Sequence, residues 1–194
     1  MRHAPPAAFL AVAALSGACS ASPPATCGQP GQWLNPADTS APLAADALLE
    51  RLAGQQVVLL GEAHDSAEDH RWQLHMLAQL HSRRPNLAIG FEMFPRRMQP
   101  VLDDWVAGKL PERELLKKSE WDKVWTFDAR DYLPLFHFAR MNRIPMLALN
   151  VERGLPEAVG KEGWDAVPEA RKEGVTRPAA PSAEYLKDLR MVFD

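Results

Sequence analysis

The sequence predicts an α/β fold, a parallel sheet of at least three strands flanked by helices. Three observations carry this expectation. Residues 57–60 (VVLL), 87–91 (LAIGF) and 145–149 (PMLAL) are short apolar runs, which read as strands buried on both faces. The connections between them keep helical spacing. Strand–helix–strand alternation without an internal repeat implies parallel pairing through right-handed crossovers. Composition agrees, since 46% hydrophobic and 24% charged residues in a chain of 194 suit an ordinary globular domain. A formal net charge of −3 argues against a nucleic-acid binder. Two cysteines exclude a disulfide-rich scaffold. No apolar run reaches the roughly 18 residues of a membrane-spanning helix.

Taken in order, residues 1–6 carry Arg2 and no acid, and residues 7–15 are apolar. Ser16, Gly17 and Ala18 then lead to Cys19. A basic start, a short apolar stretch and a small-residue zone describe a secretory signal peptide, here residues 1–18. A cysteine directly after that zone resembles the acylation site of bacterial lipoproteins, although Ser16 stands where those proteins usually carry leucine. An acylated Cys19 would tether the chain to a membrane leaflet without spanning it and leave Cys27 as the free thiol. Without acylation the two cysteines could pair. Residues 19–44, with their Ala, Ser, Pro and Gly, are expected to form a linker, and residues 45–194 the α/β domain.

Within that domain the first connection keeps Leu74, Leu77, Ala78 and His81 on one helix face. The second does so with Met98, Val101, Leu102, Trp105 and Val106, and the third with Leu135, Phe136 and Ala139. After Asn150, residues 154–163 hold a short helix and residues 168–181 read as loop. Residues 183–193 make an amphipathic helix with Tyr185, Leu186, Leu189, Val192 and Phe193 on one face. Three strands and an uncovered apolar helix make an incomplete domain, so truncation at the C-terminal end is expected.

In open parallel sheets, ligands sit beyond the carboxyl ends of the strands. The first run exits into Gly61, Glu62, Ala63, His64 and Asp65, the second into Glu92, and the third into Asn150, Glu152 and Arg153. A single polar exit is a cap or a solvated loop; three together point to a shared pocket. Glu62 and His64, two apart in extended chain, point the same way and can orient each other or share a metal. Gly61 allows the sharp exit turn, and Asp65 is placed to cap the next helix. His70, about a turn and a half into that helix, either faces the pocket or packs; His75 and His81 are structural or exposed. Trp121, Trp125, Asp128, Arg130, Asp131 and Tyr132 form a second cluster. The tryptophans either stack on a flat ligand or pack against the sheet, and Arg130 either pairs a ligand anion or a neighbouring aspartate. Tyr132 is expected to pack behind a capping Asp131. The candidate pocket is Glu62, His64, His70, Glu92, Arg130, Asn150 and Arg153.

VVLLGEAHD with His70 and Gln73, then IGFEMF, then DARDYLPL, then IPMLALN with Arg153, resembles the ChaN-like haem-binding lipoproteins of the broader Tiki and erythromycin-esterase-like superfamily. The resemblance spans residues 55–153. It implies an exported protein, periplasmic or anchored to the outer membrane through Cys19, that serves haem or iron uptake. It also implies a helical lid on the sheet with a haem pocket nearby, a partial lid region being present here. In the superfamily the Gly-x-x-His motif, here Gly61 to His64, and the second-strand glutamate, here Glu92, line the polar pocket. Members also carry a second Gly-x-x-His motif on a final strand. None follows Arg153 here, and no histidine follows His137.

Two functions are therefore expected in competition. The first is haem binding without catalysis, with Tyr185 or His70 as the protein ligand. Its partners are haem and a membrane reached through the lipid anchor; whether two copies pair around the ligand stays open. The alternative is a metal-dependent hydrolase or peptidase in which Glu62, His64 and Glu92 hold a divalent ion that activates water. Two carboxylates and one imidazole suit manganese better than zinc. A truncated, inactive product is the bland third reading.

Overall fold

Asn35 and Asp38 begin the described structure with a tight turn, each accepting a backbone N–H two residues on, from Ala37 at 3.1 Å and Ser40 at 3.0 Å. The turn joins β1 (Trp33–Asn35) to β2 (Asp38–Leu43) as an antiparallel hairpin, with Trp33 opposite Leu43. This computed structural model describes residues 31–35 and 37–193. The expected signal peptide, Cys19 and Cys27 lie outside the described residues. The hairpin belongs to a first unit that ends within α1 (Ala45–Ala53).

The second unit starts at Leu49 and carries the sheet. Its elements are α2 (Ala67–Arg83), β3 (Ile89–Pro95), a 3-10 turn at Arg96–Met98, α3 (Gln99–Val106), α4 (Glu112–Lys118), α5 (Trp121–Val124), α6 (Ala129–Met141), β4 (Met146–Asn150), α7 (Gly154–Glu162) and α8 (Ala183–Phe193). β3 and β4 pair in parallel, with Ile89 opposite Met146 and Phe91 opposite Ala148. Helix α6 packs on α2 and α3, α3 on β4, and α5 on β3. The core between them is built from Phe91, Met93, Phe94, Leu102, Trp105, Phe136 and Met146, all buried. A smaller cluster of Leu155, Ala158 and Val167 closes α7 onto the loop after it. No helix among the described residues is long and apolar enough to cross a membrane.

Caps explain where the helices begin. Ser66, not Asp65, is the N-cap of α2, its hydroxyl accepting the Asp69 N–H at 3.2 Å. Asp69 reaches back to the Ala63 N–H at 2.8 Å. Asp128, not Asp131, caps α6 by accepting the Arg130 N–H at 2.9 Å. In both cases the cap lies at the residue still in extended conformation, one residue after the expected Asp65 at α2 and three residues before the expected Asp131 at α6.

Two expectations about the strands need correcting. Among the described residues only two parallel strands form, because residues 57–60 find no ladder. Leu59 is 88% exposed, and the segment is held instead at its ends. Arg84 donates to the Gln55 carbonyl at 2.7 Å and Gln73 to the Leu60 carbonyl at 3.0 Å. Up to Met93 in β3 and throughout β4, the strands that do form are buried on one face only. Phe91, Met93, Met146 and Ala148 face the helices, while Gly90, Glu92, Leu147 and Leu149 are exposed. On that open face the Leu149 side chain lies over Gly90, where a Cβ would fall 2.5 Å from it. An apolar run specifies a strand only if a neighbour is present to take its hydrogen bonds. Helix α8 forms where expected, with Tyr185, Leu186 and Val192 exposed.

Candidate functional site

Glu62 is the centre of the polar cluster, and its surroundings come from three elements. It lies in the ladderless stretch after residues 57–60, which side chains of α2 and α6 pin in place. Gln73 holds Leu60, Asp69 holds Ala63, and His70 Nε2 meets the His64 carbonyl at 3.2 Å. From α6 the Tyr132 hydroxyl donates to Glu62 Oε1 at 2.7 Å and lies 3.3 Å from the His64 carbonyl. His64 Nδ1 meets the same Oε1 at 2.9 Å. His70 Nδ1 lies 3.2 Å from Glu62 Oε2, out of line for a hydrogen bond.

Burial would raise the Glu62 carboxyl, but hydrogen bonds from Tyr132, His64 and Gln73 and the charge of His70 outweigh it and hold the group below the usual glutamate range. The converse applies to Tyr132. Burial first, then its hydrogen bond to Glu62, push the phenol well above its ordinary value. Glu62 is therefore an anchored carboxylate and Tyr132 a permanent donor.

A carboxylate only accepts, so it fixes the His64 proton on Nδ1. In the neutral ring Nε2 then carries a free lone pair. The His64 side chain is 38% exposed, and Nε2 lies 3.7 Å from Glu92 Oε1. Trp125 stands edge-on to the ring at 4.8 Å and Phe127 at 4.9 Å. The result is an oriented imidazole presented between a carboxylate and two aromatic rings.

Of the candidate residues, the structure brings together Glu62, His64, His70 and Glu92. Asn150 joins them through backbone, donating to the Glu92 carbonyl at 2.9 Å. His70 is 3% exposed and its two nitrogens face acceptors of the protein, so it buttresses rather than binds. Arg130 does not join. Its side chain is 86% exposed and pairs with Asp128, whose carboxyl that hydrogen bond lowers to about 2. Trp121 packs into the core, with its indole N–H on the Phe127 carbonyl at 2.9 Å. Arg153 is exposed and donates to the Val124 carbonyl at 3.2 Å. Tyr185 is exposed on α8. The divalent-ion alternative finds no support, since no three His, Cys, Asp or Glu side chains among the described residues converge to hold a metal. Sequence reasoning missed Tyr132 as a site residue. The available signal was that a buried tyrosine needs a partner for its hydroxyl.

The family of haem-binding uptake proteins of the Tiki superfamily, ChaN, matches residues 48–194. The chain belongs to the ChaN family. No curated protein matches it. Among solved structures it is similar to that of cofacial haem binding to ChaN of Campylobacter jejuni, at 21% identity and a TM-score of 0.63. The match covers 80% of this chain and 59% of the Campylobacter chain, so this ChaN-family chain spans less than two thirds of that protein's length. The likeness establishes a ChaN-like α/β fold, as the motifs implied, although the described residues form a parallel pair flanked by helices and not the expected three strands.

Proposed function

We propose that this ChaN-family chain binds haem and that His64 presents the ligating nitrogen. The carrying observation is the His64 ring itself, with Nδ1 held by Glu62 at 2.9 Å and the ring flanked by Trp125 and Phe127. Histidine is among the protein ligands of haem iron, and a carboxylate behind the distal nitrogen fixes the tautomer and raises basicity. Aromatic rings beside it suit a flat macrocycle. Haem brings iron chemistry; the residues here bind, orient and screen it. Tyr185, exposed on α8, is the second ligand candidate. The same reading includes export, acylation at Cys19, residence at the outer membrane and a role in haem uptake. It also includes pairing of two copies around the ligand, which the uncovered apolar faces of the sheet and α8 favour.

Titration of the purified protein with ferric haem, followed at the Soret band, tests the proposal. His64→Ala should remove the shifted band and Tyr185→Phe should leave it. The reverse pattern would move the ligand to α8, and an unshifted wild-type spectrum from a folded protein would end the proposal.

A further inference from the structure

Two donors converge on one oxygen of the site. Glu62 Oε1 accepts from the Tyr132 hydroxyl at 2.7 Å and meets His64 Nδ1 at 2.9 Å. Tyr132 is fully buried, so its hydroxyl has no solvent to turn to. His64 is partly exposed, and its other nitrogen, Nε2, lies 3.7 Å from Glu92 Oε1. The ion-pair partners of both carboxylates are histidine rings: Glu62 meets His64 and His70, and Glu92 meets His64. A carboxylate behind an imidazole pulls on its N–H and raises the electron density at the opposite nitrogen. A second hydrogen bond to the same carboxylate oxygen stabilises the anion and lowers its basicity, which weakens that pull. Glu62 therefore strengthens His64 as a donor, and Tyr132 sets a limit on how far. Two negative groups beside the ring also favour whichever ligand state carries more positive charge.

We infer that the Tyr132–Glu62–His64 chain selects the oxidation state of the ligand and holds ferric haem in preference to ferrous haem. The inference rests on the haem reading and adds to it the choice of redox state. Ferric haem differs from ferrous haem by one electron, and so by one positive charge at the iron. A stronger nitrogen donor and a negative surrounding both stabilise the more positive state, and hydrogen bonding behind the axial ligand is a recognised control of haem potential. Glu62 and Tyr132 act through His64 and are positioning residues. Their effects have opposite signs, because one gives density to the imidazole and the other withdraws it.

The experiment measures the reduction potential of haem bound to the full chain, by titration with dithionite in the presence of mediators and with Soret absorbance as the signal. The potential reads the ratio of ferric to ferrous affinity. Glu62→Gln keeps the shape and removes the charge; the ferric preference should fall about ten-fold, a rise of about 59 mV for a one-electron couple. Glu92→Gln, on an exposed side chain, should raise the potential by less. Tyr132→Phe should lower it, since Oε1 then turns wholly to His64. A merely structural role would loosen the cleft and move all three variants the same way, which overturns the inference, as does a potential that none of them moves. Should Glu62→Gln fail to fold, Glu92→Gln against Tyr132→Phe decides by the same opposition of sign. A folded wild type that leaves the Soret band unshifted, or a shift that survives in His64→Ala, overturns the His64 haem reading and the redox selection together. A band that depends on His64, with a potential indifferent to Glu62, overturns the selection alone.

Discussion

The Glu62 carboxylate accepts from Tyr132 and His64, and those bonds keep it ionised despite burial. A carboxyl whose folded value lies below its unfolded value binds fewer protons in the folded state. Stability therefore rises with pH, is fully present above about pH 4.3, the ordinary glutamate value, and is lost as pH falls through the lowered folded value. Melting temperature measured from pH 6 down to pH 3 should show the gap between wild type and Glu62→Gln narrowing on acidification. A gap independent of pH would remove Glu62 as the responsible group. Tyr132→Phe should cost about 2 kcal/mol in urea unfolding, the scale of a hydrogen bond to a charged group, and should move the acid transition to higher pH. Glu62, His64 and Glu92 are legible in the sequence as polar exits of apolar runs. The Tyr132 contact is not, because its partner lies 70 residues away. No local pattern reports a hydroxyl crossing from α6.

At the scale of elements, helix α2 begins where Ser66 caps it. Ser66→Ala should lower stability by about 1 kcal/mol, whereas Asp65→Ala should change it little. A larger loss at Asp65, measured in the same urea titration, would return the cap to the residue the motif suggested. The helices and both paired strands are legible because apolar spacing and breakers specify them locally. The status of residues 57–60 is not, since being a strand depends on what lies alongside. The hairpin of β1 and β2 is hidden for a related reason. Its Ala, Ser and Pro content reads as linker, and only the side-chain turns at Asn35 and Asp38 mark it.

The whole chain leaves two apolar surfaces uncovered among the described residues, the outer face of the strand pair and the face of α8. Parallel strands are ordinarily covered on both sides, so the chain is expected to self-associate with rising concentration. Sedimentation of wild type against the double variant Leu147→Ser, Leu149→Ser checks this. The variant should associate less and keep its stability within about 0.5 kcal/mol, as surface changes do. Undiminished association would place the sticky surface elsewhere, α8 being the next to alter.

The pinning of residues 60–64 by side chains rather than by a ladder has a kinetic consequence. Amide hydrogens at residues 57–60 should exchange with deuterium at nearly the rate of open chain, while Phe91 and Ala148, inside the β3–β4 ladder, stay protected. His64 thus hangs from a segment with no clock of its own. It acquires its orientation only after α2 and α6 have docked and Tyr132 has reached Glu62. During refolding the Glu62–His64 pair should be among the last features to appear, so its appearance becomes a stopwatch for the completion of the fold.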